Sequence, residues 1–108
     1  MSKITDSAMG EECSVRICGI CNFDNSTTIF AHLNGAGVAL KAHDSQGAYC
    51  CSNCHAVLDG HQYSEYSQQE LLLMHYEGIL RTQLILFKKG LLVVVGACEK
   101  KFKTPKKV

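Results

Sequence analysis

The sequence lacks any apolar run that is long enough to cross a membrane. The longest one extends only from Leu91 to Cys98, whereas a membrane-spanning helix needs about 20 residues. Residues 1–6 contain neither an apolar run nor a small-residue cleavage site of the kind found in secretory signals. Both absences favour a cytoplasmic protein that makes no contact with a membrane.

A disulfide framework is also disfavoured. The 108 residues include seven cysteines and five histidines, which is more than packing requires, and the cysteine number is odd. In a cytosolic chain, clustered cysteines indicate a metal site rather than disulfide bonds. The length suits one small domain, so we expect a single domain that binds metal.

Two Cys-x-x-Cys motifs lie roughly thirty residues apart, Cys18 with Cys21 and Cys51 with Cys54. Paired motifs of this kind are typical of a structural zinc ion held by four thiolates. Cys13 begins the same predicted hairpin as Cys18, so the fourth ligand stays open between these two. Such a zinc ion contributes on the order of 10 kcal/mol, comparable with the whole stability of a small domain.

The local patterns predict strands at residues 14–17 and 27–33 and a short strand or extended segment at 91–95. A short helix is expected to begin at Ser52 or Asn53 and to run past Asp59. Breaker clusters on either side of residues 38–43 predict an irregular loop before that helix. The mixture indicates the α+β class.

A capping box at residues 67–70 predicts the start of a long helix, and Gly90 suits its end. Apolar residues that recur at helical spacing predict its buried stripe: Leu72, Tyr76, Ile79, Leu80, Leu84 and Phe87. The apolar segment at residues 71–74 gives the helix more than one apolar face, so a homodimer stays open.

The candidate catalytic residues lie close to the second cysteine pair. His55 and Asp59 are four positions apart on the predicted helix, where they can bind a divalent cation (Mg2+, Mn2+ or Zn2+) from one face. His32 ends a predicted strand and suits a general base near neutral pH. Asp44 is the best candidate for fixing the tautomer of His32. His61 is an alternative to Asp59 as a cation ligand.

The order of these features matches that of a ββα-metal (HNH-type) nuclease, in which a cation neutralises the scissile phosphate and the departing 3′ oxygen. The middle Asn of the HNH pattern is missing here. On this interpretation the rings of His32 and His55 and the carboxylate of Asp59 converge on one open cleft. Each side chain also has a purely structural explanation, and we expect His43 and His75 to lie on solvated surfaces.

Several motifs resemble the YbcO-like nucleases of phages and prophages. They are residues 12–17, Gly19-x-Cys21-Asn22, Ala31-His32, Cys51-Ser52-x-Cys54-His55-x-x-x-Asp59 and Glu77-Gly78-x-x-Arg81-Thr82-Gln83. The resemblance covers roughly residues 11–95. It implies a small zinc-containing treble-clef or ββα-metal (HNH-like) domain with a long C-terminal helix.

The resemblance also implies roles for individual residues. It favours Cys13, Cys21, Cys51 and Cys54 as zinc ligands, because the family usually has a proline where this chain has Cys18. It implies the base role for His32 and cation binding for His55 and Asp59. The implied activity is metal-dependent hydrolysis of DNA, branched or single-stranded forms included, during phage or prophage recombination or DNA processing in the bacterial cytoplasm.

The chain then divides into a flexible N-terminal segment at residues 1–10, a zinc-containing nuclease-like domain at 11–96 and a basic tail at 97–108. Residues 1–98 hold six Lys and Arg against nine Asp and Glu, whereas residues 99–108 hold five lysines against Glu99. Such a tail either favours polyanions through counterion release or is a solvated terminus. The alternative function is a non-catalytic zinc-ribbon module that binds nucleic acid or a partner protein.

Overall fold

The computed structural model describes residues 3–33 and 43–96. In chain order the elements are α1 (Lys3–Asp6), a 3-10 turn (Asn25–Thr27), β1 (Ile29–His32), β2 (Gly47–Cys50), α2 (Ser52–Leu58) and α3 (Gln68–Lys88). This is the predicted α+β arrangement with a long C-terminal helix. No helix within these residues has the length and apolarity to span a membrane. The predicted basic tail at 97–108 lies outside the described residues.

β1 and β2 form an antiparallel hairpin whose two faces pack against different parts of the core. Ala31 is paired with Ala48, and both belong to the cysteine-rich cluster of buried residues. Phe30 is paired with Tyr49, and both belong to a second cluster. Since neighbouring side chains in a strand point to opposite faces, His32 lies on the Phe30 face, where the two rings meet edge to face at 5.1 Å.

The strand predicted at residues 14–17 is absent, although the segment is buried against β2. Ser14 N–H donates to the Tyr49 carbonyl at 2.7 Å, and Val15 and Ile17 are buried. Arg16 has a φ of 51°, in the left-handed region that interrupts an extended strand. The segment predicted at 91–95 also forms no strand, and its three valines are exposed.

Residues 3–8 pack against the hairpin, within the segment at 1–10 that was expected to be flexible. Residues 3–6 form α1, and Ala8 is buried in the cluster of Phe30 and Tyr49. The hydroxyl groups of Ser7 and Tyr49 are 2.8 Å apart. Apolar packing and this hydrogen bond thus attach residues 3–8 to the hairpin.

α2 begins directly at the second cysteine pair. Its N-cap is Cys51, whose sulfur accepts a hydrogen bond from Cys54 N–H, rather than the predicted Ser52 or Asn53. The helix ends at Leu58, with Asp59 as its C-cap. The sulfur atom of Cys51 therefore caps the helix and is also one of the candidate metal ligands.

α3 begins at the predicted capping box but buries a different face. Ser67 and Glu70 cap each other reciprocally, whereas Leu72, Tyr76, Leu80 and Leu84 of the predicted stripe are exposed by 41–66%. The buried positions are Leu71, His75, Gly78, Ile79, Thr82 and Leu86. Of the predicted buried stripe, Ile79 is buried and Phe87 is partly buried, and the prediction is wrong at the other four positions.

Close docking onto the hairpin explains why small and polar residues occupy the inner face of α3. A side-chain carbon at Gly78 would lie 2.7 Å from Val15 Cγ2, so only glycine permits this approach. Thr82 Oγ1 accepts a hydrogen bond from Tyr49 N–H at 3.0 Å, inside the protein. A stripe of leucines would hold the helix too far away for these contacts.

Two further side chains of α3 bind loop carbonyl groups. Arg81 Nη1 donates to the Ser14 carbonyl, and Gln83 Nε2 donates to the Ser45 carbonyl, each at 2.6 Å. Ser14 follows the candidate zinc ligand Cys13, and Ser45 follows the candidate site residue Asp44. α3 therefore fixes the cysteine turn at residue 13 and the loop before β2.

Candidate functional site

Four cysteines from three parts of the chain meet beside the hairpin. The sulfur atoms of Cys13, Cys21, Cys51 and Cys54 all lie within 4.8 Å of one another, and those of Cys21 and Cys51 are 3.9 Å apart. Cys18, the alternative fourth ligand, is exposed and is not part of this group. The cluster therefore contains the set implied by the family resemblance.

The spacing of the sulfur atoms fits a zinc ion. A tetrahedral site with Zn–S bonds of 2.3 Å requires sulfur atoms about 3.8 Å apart, close to the separation between Cys21 and Cys51. Four thiolates are also the donor set that structural zinc prefers. The cysteines can hold a metal ion of this kind with little movement.

Backbone N–H groups turn toward the sulfur atoms. Arg16 N–H donates to Cys13 at 3.4 Å, and the Phe23 backbone N–H bonds Cys21. Arg16 and Phe23 both have positive φ, 51° and 55°, which is uncommon for residues other than glycine, asparagine and aspartate. Because their identities give no sign of this conformation, sequence patterns could not reveal these turns.

The ionisation of the cluster is uneven when no metal is bound. Side-chain hydrogen bonds from Cys50 and Cys54 hold the pKa of Cys13 well below its usual range. Burial raises the pKa of Cys21 to about 11, and the hydrogen bond to Cys13 raises the pKa of Cys54. Binding a metal as thiolates therefore requires the release of protons from Cys21 and Cys54.

His32 and Asp44 form a hydrogen-bonded pair at the end of the hairpin. His32 Nε2 lies 2.8 Å from Asp44 Oδ1, and the side chains are 14% and 33% exposed. In the neutral imidazole, a proton on Nε2 that is donated to the carboxylate leaves Nδ1 as an acceptor. The contact is the one expected if Asp44 fixes the tautomer of His32.

His32 also lines an open pocket of about 410 Å³ between the hairpin and α1. Thr28 lines the same pocket. Within residues 3–33 and 43–96, the buried hydroxyl group of Thr28 has no hydrogen-bond partner. A buried hydroxyl group without a partner is costly, and no atom of the described residues satisfies this one.

His55 and Asp59 form a second pair on α2. His55 Nε2 lies 2.9 Å from Asp59 Oδ2, and the side chains are 34% and 28% exposed. They share one helix face, as the spacing of four predicts. The possible replacement for Asp59, His61, is exposed in the turn that follows.

The two pairs do not meet in one coordination shell. Among the residues described, the four cysteines are the only group of three or more candidate ligands within such a distance. α2 packs through Cys54 and Val57 with Ala31, whereas His32 follows Ala31 and lies on the opposite face of the hairpin. The expected convergence of His32, His55 and Asp59 is therefore not found.

His75 is buried rather than on a solvated surface as predicted. It is 2% exposed, and its Nε2 lies 3.1 Å from the carbonyl oxygen of Ala31. Burial lowers its pKa, while the Ala31 carbonyl and Asp59 oppose that shift and His55 adds to it. In the sequence, its spacing of four residues from both Leu71 and Ile79 was the signal that could have predicted this burial.

The fold and the cluster define a small α+β protein with four cysteines that could hold a metal ion. The family model described as "Putative nuclease YbcO" matches residues 2–91. The chain belongs to the YbcO family.

Relatives and a solved structure agree with this assignment. The chain is 33% identical over 98 residues to "Putative nuclease YbcO" of Escherichia coli (strain K12), covering 85% of this chain and 98% of the relative. The same values hold for "Putative nuclease ybcO" of Enterobacteria phage 82. A solved structure, "Structure of a putative bacteriophage protein from Escherichia coli str. K-12 substr. MG1655", has a TM-score of 0.69 and 32% identity. It covers 80% of this chain and 98% of the other.

Proposed function

We propose that this protein is a metal-dependent DNA endonuclease of the HNH-like type, acting in phage or prophage recombination or DNA processing. The word nuclease in the names of its relatives supports the general activity. The observation that carries the proposal is the contact between His32 Nε2 and Asp44 Oδ1. The order β1, β2, α2, with a histidine on the first strand and another on the helix, also supports it.

His32 acts as the general base in this proposal. The Asp44 carboxylate holds the proton on Nε2, so Nδ1 accepts a proton from the attacking water. The carboxylate also stabilises the imidazolium that forms.

His55 and Asp59 bind the catalytic divalent cation, Mg2+, Mn2+ or Zn2+. When bound, such an ion stabilises negative charge on the scissile phosphate and on the leaving oxygen. An imidazole and a carboxylate on one helix face give it two ligands, leaving other positions for water and substrate. Because His32 lies on the face of the hairpin opposite α2, the proposal requires one DNA strand to contact both faces at the end of the hairpin.

The four cysteines hold a structural zinc ion in this proposal. Three of them are almost fully buried, which suits a closed site without an open position for substrate. The cluster also joins the turn at residue 13, the turn at residue 21 and the start of α2. Zinc at this position would therefore fix the elements that carry both histidine pairs.

Cleavage of duplex, single-stranded and branched DNA by matched histidine variants tests the proposal. His32→Ala should lower cleavage at saturating Mg2+ or Mn2+ by about 100-fold or more, without changing zinc content. His55→Ala should instead raise the cation concentration needed for half-maximal cleavage. His43→Ala, at an exposed histidine whose ring is hydrogen-bonded to Ser45 in its own turn, is the control and should cleave normally.

The alternative is a zinc-ribbon module that binds nucleic acid or a partner without cutting. It would be favoured if the zinc-loaded protein bound DNA but cleaved none of the substrates with any of the three cations. Equal activity of His32→Ala and wild type would remove His32 as the base. Loss of activity in His43→Ala as well would show that the assay reports folding rather than chemistry.

A further inference from the structure

The outer face of α3 carries an apolar stripe that no described part of the chain covers. Leu73, Tyr76, Leu80 and Leu84 follow one another by three or four positions and therefore share one helix face. They are exposed by 59%, 45%, 66% and 41%. Contiguous apolar surface of this kind marks an interaction site in a soluble protein.

Charged residues border this stripe along one edge, and their sign reverses halfway along the helix. Glu70, Glu77, Arg81 and Lys88 are separated by seven, four and seven positions, so they follow a single line beside the stripe. The first two are acidic and the last two are basic. A general apolar partner or a membrane surface would have no need for this reversal.

The charge pattern is symmetric about position 79 of the chain. Glu70 and Lys88 each lie nine positions from it, and Glu77 and Arg81 each lie two positions from it. In two antiparallel helices related by a two-fold axis, each edge faces the same edge of its partner. An axis beside position 79 therefore places Glu70 of one copy opposite Lys88 of the other. It places Glu77 opposite Arg81 in the same way.

We propose that the outer face of α3 binds a second copy of this chain, forming an antiparallel, two-fold symmetric helix pair. The stripe supplies the apolar centre of this interface, and the charged edge fixes the register. The stripe is itself centred close to position 79, so apolar contacts and charge pairs select one arrangement. This inference does not depend on the proposed nuclease activity.

The charged side chains remain able to make these contacts. Arg81 uses Nη1 for the Ser14 carbonyl, but a guanidinium group has five N–H donors. Glu70 uses Oε1 in the capping box, which leaves its second oxygen for a lysine. Glu77 and Lys88 are exposed.

The chain's own basic tail is a poorer occupant of the stripe. Residues 99–108 offer only Phe102 and Val108 as large apolar side chains, among five lysines. Two side chains cannot cover a row of four at helical spacing. The tail also has no acidic residue apart from Glu99 to face Arg81 and Lys88.

Sedimentation velocity of the zinc-loaded protein over a concentration series tests the proposal. An interface of one helix per protomer is at the small end of specific interfaces, so we expect monomer and dimer to exchange between about 1 μM and about 1 mM. Leu80→Glu should raise the dissociation constant by about a hundredfold or more, because it buries two charges near the axis. Tyr63→Glu, at an exposed residue away from α3, is the matched control and should have no effect.

Charge reversal tests the antiparallel register. Glu77→Lys and Arg81→Glu should each raise the dissociation constant by about tenfold, because each puts like charges opposite one another twice. An equimolar mixture of the two variants should associate as tightly as wild type, since the mixed dimer restores both pairs. Lys88→Glu also puts like charges opposite one another twice, because residue 88 faces Glu70 of the second copy. It is the single-variant test to use if loss of the contact between Arg81 and Ser14 unfolds the Arg81 variant.

Several results would overturn the proposal. A wild-type protein that stays monomeric at the highest concentration has no such interface. A dimer that Leu80→Glu leaves intact uses another surface, and one that weakens with Tyr63→Glu to the same extent has no defined site. A mixture of charge variants that stays as weak as either variant alone excludes the antiparallel register. Monomeric wild type that dimerises only after removal of residues 97–108 would assign the stripe to the tail.

Discussion

The cysteine cluster and the two histidine pairs are built from similar numbers of side chains but differ in closure. Three of the four cysteines are 5% exposed or less, whereas His55 and Asp59 are each about one third exposed at the side chain. The cysteines join distant segments of the chain. The side chains of the two histidine pairs are more open, at 14–34% exposure.

This difference in closure suits the two kinds of site to different tasks. A closed set of four ligands satisfies a metal ion completely and is suited to holding the fold. An open pair of side chains contributes little to stability but can bind water, a cation or a phosphate. Variants that separate stability from activity therefore test the assignment directly.

Loss of a cluster cysteine should have the largest effect. Cys54→Ser should abolish zinc binding and remove on the order of 10 kcal/mol of stability, because the structural ion binds only the folded chain. Inductively coupled plasma mass spectrometry measures the zinc content. Thermal melting followed by circular dichroism measures the loss of stability. Cys18→Ser, at an exposed cysteine outside the cluster, should keep one zinc ion per chain. A Cys54→Ser protein with normal zinc and melting would disprove the cluster as the metal site.

Substitution of Asp44 should affect chemistry and leave the fold intact. Asp44→Asn should reduce the cleavage rate at saturating substrate by about 100-fold, because an amide can donate to Nε2 and so stabilise the wrong tautomer of His32. Glu65→Gln is a control at an exposed acidic residue. The melting temperature of Asp44→Asn should stay close to wild type. If Asp44→Asn also lowered the melting temperature substantially, the loss of activity could be explained by unfolding. Asp44 would then not differ in role from the cluster cysteines.

A small change beside the cluster should give an intermediate effect on stability alone. Gly78→Ala brings a carbon atom within 2.7 Å of Val15 Cγ2, so α3 or the turn at residue 13 must shift. We expect a loss of about 1–3 kcal/mol in urea unfolding, together with weaker zinc binding. Gly96→Ala provides a comparison, because no described atom lies within 4 Å of the added carbon. Its φ is positive, so a small loss of stability from backbone strain is expected there. An unchanged Gly78→Ala protein would mean that α3 does not brace the cluster.

The features that sequence predicted correctly are set by neighbouring residues. The capping box of α3 depends on residues three positions apart, and the pair on α2 depends on residues four positions apart. The buried face of α3 could not be predicted in this way, because it depends on how closely the helix approaches Val15 and Tyr49. The general rule that apolar residues face inward therefore selected Leu80 and Leu84 in place of Gly78 and Thr82.

The site shows the same limit. Spacing identified three of the clustered cysteines but left Cys13 and Cys18 equivalent, since only the folded turn decides which sulfur atom points inward. His32 and Asp44 were paired correctly as neighbours, but the register of the hairpin decides which face His32 occupies. Prediction of its convergence with His55 failed because that register depends on pairing between β1 and β2.

His75, buried against the Ala31 carbonyl, provides the smallest effect, through pH. Its pKa in the folded protein is lowered mainly by burial from an ordinary value of 6.5, so the unfolded chain binds its proton more readily. Stability from His75 is therefore complete above pH 6.5 and is lost as the pH falls toward the lower pKa of the folded state. His75→Gln keeps a donor for the Ala31 carbonyl but cannot titrate. Urea unfolding of both proteins between about pH 8 and about pH 5.5 should show a steeper loss for wild type. Protonation of the cysteine ligands affects both proteins alike, so the difference between the two curves isolates His75, and parallel curves would exclude it as a titrating group.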